Sequence, residues 1–158
     1  MSTKARKRYK TFTYQTELQW SGHRSGTITA EDTPQIQVSS PPEFRGETGV
    51  WSPEEMFVAS VNICTMTTFL AFAEKKGLPL VSYTSHAEGI LESVEGAYQF
   101  TEIYLKPAIV LDSTDSLSQA EQTLQDAHEK CLISHSIKAR VHLEPEITVA
   151  ESPVTADA

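Results

Sequence analysis

The sequence predicts an α+β fold, and three observations carry that expectation. Its candidate strands come in runs rather than alternating with helices, which argues against a doubly wound sheet. Residues 56–73 form 18 consecutive positions without a charge behind a strong helix-start signal. A later stretch repeats apolar residues at three- and four-residue steps, the spacing of a helix with one buried face.

From Phe12 to Trp20, the apolar side chains Phe12, Tyr14, Leu18 and Trp20 share one parity, and Thr11, Thr13, Gln15, Glu17 and Gln19 share the other. That pattern reads as a half-buried strand. Ser21 to Gly26 reads as a turn, with Thr27 to Ala30 and Ile36 to Val38 as short strands interrupted by Glu31 to Pro34. After the loop from Ser39 to Gly49, Ser52 offers an N-cap, Pro53 suits the first helical position, and Glu55 completes a Ser-x-x-Glu capping box. The helix should run to Gly77. Its uncharged run reaches the lower edge of a membrane span. Ser60, Asn62, Thr65, Thr67 and Thr68 interrupt that run, so it reads as a long buried central helix.

Leu80 to Glu92 and Tyr98 to Leu111 form a hairpin around residues 93–96, with Ile103, Leu105, Ile109 and Leu111 on one face of the second arm. Asp115 or Ser116 caps a second helix. There Leu117, Ala120, Leu124, Ala127 and Cys131 mark the buried stripe, with Cys131 near the helix end. A last strand from Lys138 to Val149 alternates Ala139, Val141 and Leu143 against Lys138, Arg140 and His142.

A chain of 158 residues suits one domain and buries a core without staples. The expected layout is a basic lead over 1–10, a single domain over 11–150 and a disordered tail over 151–158. Thirteen Lys and Arg against 21 Asp and Glu give a net charge of −8, which repels phosphate backbones and anionic bilayers. Nucleic acid and membrane are therefore not expected partners. Lys4, Arg6, Lys7, Arg8 and Lys10 are the local exception, read as a solvated lead into the first strand. The start has no apolar core of a secretory signal, so the expected location is cytoplasmic.

In that compartment a cysteine pair is more often catalytic, redox-sensing or metal-binding than structural. Cys64 lies inside the apolar helix, and Cys131 lies on the core-facing stripe of the second. Two packed stripes can bring such thiols within the reach of about 7 Å between Cα atoms that a disulfide needs. Three other readings stand beside it. Both cysteines can be inert small hydrophobes. A zinc site from Cys64, His128 and Cys131 would have only three ligands and no Cys-x-x-Cys signature. A papain-like hydrolase has His23, His86, His128, His135 and His142 available, none in a hydrolase motif.

Three stretches add weight to the redox reading: Ser40-Pro41-Pro42-Glu43-Phe44; Gly49-Val50-Trp51-Ser52-Pro53-Glu54-Glu55 leading to Cys64; and Ala127-His128-Glu129-Lys130-Cys131. Together they resemble the OsmC/Ohr family of thiol proteins, and the similarity extends from the first strand to the last. The resemblance implies an OsmC-like fold, with antiparallel sheets around the long helix in an intertwined homodimer. It implies an antioxidant, stress-response peroxidase that reduces organic, lipid-type hydroperoxides to alcohols. Cys64 would attack the peroxide, Cys131 would resolve the sulfenic acid as a disulfide, and a lipoyl-type or thioredoxin-like dithiol would reopen it. No cofactor is implied.

In the family an arginine held by a glutamate supports the thiolate. The glutamate maps onto Glu54 and the arginine onto Arg24, with Arg45 as the rival. Glu54 and Cys64 stand ten residues apart on one helix, about 15 Å along its axis. Either the helix breaks or Glu54 serves the site from a second chain. Met56, Phe57, Met66 and Phe69 offer apolar walls for a bulky substrate. One departure stands out: Leu132-Ile133-Ser134 follows the second cysteine, where the peroxidase branch has a Pro-Tyr-Ser type segment. It leaves open an OsmC-like redox-sensing or ligand-binding protein with little peroxidase activity.

Overall fold

The computed structural model describes residues 9–151. Lys4, Arg6, Lys7 and Arg8 of the basic lead and the tail from Ser152 lie outside the described residues. The chain divides after Pro53 into two compact units.

The first unit is a three-stranded antiparallel sheet of β1 (Glu17–Gly22), β2 (Ser25–Thr29) and β3 (Ile36–Ser39), in that order. Strand β1 begins at Glu17 rather than at Phe12. Alternation reports which side chains seek cover, but a strand also needs a hydrogen-bonded neighbour. The pairing starts at Glu17↔Thr29 and β2 ends there. The chain then turns through Ala30 and Thr33, whose backbone groups bond at 3.2 Å.

Between β1 and β2 the register shifts, and Gly22 (φ 125°) and His23 (φ 45°) take left-handed conformations that place Arg24 at the hairpin tip. A 3-10 turn over Pro42–Phe44 follows β3, closed by Arg45 in the left-handed region (φ 63°). Gly46 comes next because a side chain there would collide with the Ser40 backbone.

The second unit carries both helices. Helix α1 (Pro53–Lys76) is continuous over 24 residues. Gly77 ends it with φ 66°. The Gly77 N–H reaches the Glu74 carbonyl at 3.1 Å and the Leu78 N–H reaches Ala73 at 3.0 Å, the paired bonds that satisfy the last carbonyls of a helix. A hairpin of β4 (Leu80–Val94) and β5 (Ala97–Leu111) follows. Its turn is tighter than expected, only Glu95 and Gly96, both at positive φ (51° and 85°) as a two-residue hairpin turn requires.

Helix α2 spans Leu117–Glu129 after a 3-10 turn. The side chain that caps this entry is Ser113, which accepts from the Asp115 N–H, rather than Asp115 or Ser116. The expected last strand is two strands, β6 (Arg140–Leu143) and β7 (Glu146–Val149), with Glu144-Pro145 between them. Both join β5 in parallel. The second sheet is therefore mixed rather than wholly antiparallel, because α2 is the crossover that returns the chain alongside β5.

One face of β5, with Ile103, Leu105, Pro107, Ile109 and Leu111, is fully enclosed. Phe69 and Ala73 of α1 and Ala120, Leu124 and Ala127 of α2 pack with Ile109 and Leu111 in one cluster, and Val61 packs with Ile103, Leu105 and Ala139 in another. Each large side chain so enclosed contributes about 1.5–3 kcal/mol. Along α1 the fully buried residues are Val61, Thr65, Phe69 and Ala73, a single stripe at four-residue steps. The helix is apolar on every side, yet Ile63 stays 56% exposed and most of the remaining surface is only half covered. By length and composition α1 passes as a membrane span, but its buried stripe belongs to the same core as α2 and β5.

Candidate functional site

Cys64 sits on α1 next to the buried stripe, immediately before Thr65. Cys131 lies just beyond the last turn of α2, past the Lys130 cap, where its N–H reaches the His128 carbonyl at 3.4 Å. Cys131 is fully buried and Cys64 partly exposed, and both are free thiols. The two sulfurs lie within hydrogen-bonding reach of each other.

The chain after Cys131 closes around them. The His135 N–H bonds to the Cys131 carbonyl at 3.2 Å, the Ser136 N–H bonds to Ile133 at 2.9 Å, and the His135 ring contacts the Glu129 carbonyl at 2.6 Å. That tight turn frees the amides of Leu132, Ile133 and Ser134. The Leu132 and Ile133 N–H groups face Cys64, and the Ser134 N–H faces Cys131. Successive amides turned toward the two sulfurs favour negative charge there.

The two thiols respond differently. Burial pushes the Cys64 thiol up, the Ile133 and Leu132 amides pull it back, and the neighbouring Cys131 pushes it up again, so its pKa ends above the ordinary thiol value. No cationic side chain is among these causes. Burial also pushes Cys131 up, but the Ser134 side chain and amide, with Cys64 and Thr65, outweigh it and leave its pKa below the ordinary value. Of the two thiols in this unit, Cys131 is the one whose anion is better stabilised.

Glu54 stands in the first turn of α1, with Oε2 buried and without a hydrogen-bond partner. Since α1 is unbroken, Glu54 and Cys64 of one chain stay about 15 Å apart along the helix. Of the two readings the sequence left open, a broken helix is thereby removed.

Arg24 and Arg45 both belong to the first unit. The Arg24 guanidinium donates to the Phe44 carbonyl, and the Arg24 carbonyl accepts from the Ser40 N–H and the Ser39 hydroxyl, both at 3.2 Å. Ser25 adds a 2.6 Å bond to Glu47. Arg24 is thus tied to the loop that carries Arg45.

Two candidate wall residues have other duties. Phe69 is wholly enclosed in the core, its ring 5.7 Å from that of Tyr83, and cannot face a ligand. Phe57 stacks on Phe100 at 4.8 Å. Gly89 packs against Phe100, where a side chain would strike Val58 and the Phe100 ring. His128 has its Nδ1 buried without a partner. Among the described residues no three His, Cys, Asp or Glu side chains form a group able to hold a metal.

Sequence reasoning missed Thr65, Ser134 and the three amides of 132–134. Thr65 registered only as an interruption of an apolar run, and Ser134 only as part of a segment that departs from a pattern. A hydroxyl three residues past a buried cysteine was the available signal.

The family model described as OsmC-like protein matches residues 46–146. No curated protein matches this sequence. Among solved structures, an OsmC-like protein of unknown function from Vibrio cholerae is similar at 27% identity and a TM-score of 0.79, over 85% of this chain and 99% of that one. An organic hydroperoxide resistance protein from Legionella pneumophila is similar at 22% identity and a TM-score of 0.68, over 89% of this chain and 100% of that one. One from Elizabethkingia anophelis, with thiocyanate bound, is similar at 18% identity and a TM-score of 0.67, over 92% of this chain and 100% of that one. The last two likenesses speak for the fold.

Proposed function

Because this chain belongs to the OsmC-like protein family, we propose that it is a cytoplasmic thiol peroxidase that reduces organic hydroperoxides to alcohols. The observation that carries the proposal is the proximity of the Cys64 and Cys131 thiols, close enough for each to shift the other's pKa. The more exposed Cys64 attacks one peroxide oxygen as a thiolate, the O–O bond breaks, and the alkoxide leaves as the alcohol after taking a proton. Cys64 is left as a sulfenic acid. The Cys131 thiolate then attacks the Cys64 sulfur, hydroxide leaves as water, and a disulfide closes. A lipoyl-type or thioredoxin-like dithiol returns both sulfurs to thiols.

The raised Cys64 pKa means that the second unit alone makes a poor nucleophile, so the mechanism calls for a cation. Arg24 is the candidate, with Arg45 as the rival. Glu54 is the carboxylate that would hold it, and its buried, unpartnered Oε2 supports that role, since a buried carboxylate oxygen without a donor is costly. Since α1 holds Glu54 and Cys64 apart, the reading further assigns Glu54 to the site of a second copy. A homodimer would also cover the apolar surface that α1 leaves open.

The same raised pKa favours a second reading, a redox-sensing or ligand-binding protein with little turnover. Rapid mixing of reduced protein with an organic hydroperoxide separates the two. The peroxidase reading expects fast loss of both thiols and an alcohol product, both abolished by Cys64→Ser. Thiols that persist through many equivalents of peroxide would hand the protein to the second reading.

A further inference from the structure

The peroxidase reading leaves one question open: at which sulfur does the reductant enter the disulfide? The surroundings of the two sulfurs differ in access and in hydrogen bonding. Cys131 is fully enclosed, whereas Cys64 retains exposure. An incoming thiolate must approach the sulfur it attacks along the line of the S–S bond, so the enclosed sulfur is the harder target.

Cys131 also has two hydroxyls beside it that do nothing else. Thr65 Oγ1 and Ser134 Oγ are both buried, and neither makes a conventional hydrogen bond. This is unusual on a helix, where a threonine hydroxyl commonly turns back to a carbonyl one turn earlier. On α1 itself, Thr67 bonds to Ile63 and Cys64 carbonyls at 3.1 and 3.2 Å, and Thr68 bonds to Cys64 at 2.8 Å. Thr65 does not. Both free hydroxyls instead stand close enough to the Cys131 sulfur to stabilise a charge there, and the Ser134 amide joins them. Buried hydroxyls without a good acceptor are costly, and an anion at Cys131 would relieve both.

Resting on the peroxidase reading above, we infer that Thr65, Ser134 and the Ser134 amide make Cys131 the leaving sulfur of the disulfide, so that the dithiol reductant enters at Cys64. One thiolate of the dithiol attacks the Cys64 sulfur. The Cys64–Cys131 bond breaks, and its electron pair departs on Cys131, where the three donors receive it. The second thiol of the reductant then gives up its proton and displaces Cys64, which takes a proton in turn, and the reductant closes its own disulfide. Two electrons pass from the dithiol to the protein. The thiol with the better-stabilised anion leaves faster, so the donors accelerate recycling and not the attack on peroxide. Thr65 and Ser134 are positioning residues: they act through Cys131 and touch no substrate.

The test starts from the full-length protein oxidised with diamide, which joins the sulfurs without any peroxide. The bridge is opened with 2-mercaptoethanol, quenched at once with acid and an alkylating agent, and the mixed disulfide is located by peptide mass spectrometry. The expected adduct is on Cys64, and an adduct mainly on Cys131 overturns the inference. If diamide forms no bridge at all, both this inference and the peroxidase reading fall. A bridge with the adduct on Cys131 removes only the inference.

Thr65→Val and Ser134→Ala supply the second readout. Each should slow reduction of the bridge by a dithiol by about tenfold, the scale of losing one hydrogen bond to a charged group. The rate at which hydroperoxide oxidises Cys64 should not fall, since a less anionic Cys131 leaves the neighbouring Cys64 thiol easier to ionise. Equal losses in both steps would mean a structural role and overturn the assignment, as would unchanged reduction. In a Cys64→Ser background, adding Ser134→Ala should move the ultraviolet thiolate titration of Cys131 to higher pH.

Discussion

In the second unit Phe69, Ile103, Leu105, Ile109, Leu111 and Leu124 are fully enclosed, while in the first Phe12, Tyr14, Leu18, Trp20 and Trp51 remain at least half exposed. The enclosed residues of the first unit are small or polar: Gly26, Ser39 and Ser52. Its order comes from strand pairing and from the bonds that Arg24, Ser25, Ser39 and Glu47 make around the hairpin tip. One unit is held by a core and the other by hydrogen bonds, with its apolar face uncovered. Exposed aromatic side chains in such number mark a surface that awaits a partner. The half-covered surface of α1 presents the same need, and the proposed homodimer would answer it.

The two units differ most where the core is densest. Phe69→Ala removes an enclosed ring from the cluster shared by α1, α2 and β5, and it should cost about 3–5 kcal/mol, read as a lower urea midpoint. A loss below about 1 kcal/mol would mean that the second unit is not organised around this cluster. The same change also loosens the α1 segment that carries Thr65, so dithiol recycling should slow in the surviving folded protein.

Trp20→Ser probes the uncovered face and has a smaller expected effect. Trp20 is 75% exposed and its indole N–H reaches only the His23 carbonyl, at 3.1 Å. In an isolated chain such a change costs within about 0.5 kcal/mol. If a second copy covers the ring, truncation at a buried interface position should raise the dimer dissociation constant by at least about tenfold, measured by sedimentation at decreasing concentration. An unchanged dissociation constant would separate the aromatic face from the dimer, and a monomer at every concentration would remove the shared site as well.

How much of this was legible beforehand follows the range of the interactions. The start of α1 at Pro53, its end at Gly77 and the enclosed face of β5 were readable because local signals set them: a proline, a left-handed glycine, a period of two. The direction of β6 and β7 was not, since alternation is the same in parallel and antiparallel pairing. The start of β1 was misplaced because Phe12 and Tyr14 keep the parity of the strand but pair with no strand among the described residues. Proximity of Cys64 and Cys131 was inferred from two stripes and a family pattern. The Thr65 hydroxyl escaped notice because a polar residue on an apolar helix reads as a defect until its neighbour is known, and Ser134 because it lies in an irregular turn beyond α2.

The smallest effect concerns a single polar group inside the packed unit. His128 lies in the last turn of α2, where a helix end favours a cation. Burial nevertheless pushes its pKa below 6.5, with the Glu129 charge pulling upward and His142 pushing further down. Its buried Nδ1 has no partner to stabilise the proton. Between the depressed folded value and the ordinary unfolded one, the unfolded chain binds more protons, so acid favours unfolding. The stability tied to neutral His128 is therefore complete above the unfolded pKa, falls as pH drops below it, and is lost once pH passes the folded value. His128→Gln should flatten this part of the urea midpoint profile, just below the ordinary imidazole pKa, while the carboxylate-driven decline at lower pH persists in both proteins. An identical slope in wild type and variant would show that the imidazole gains a proton in the folded chain as easily as in the unfolded one, and that water reaches further into this end of the core than its enclosed neighbours suggest.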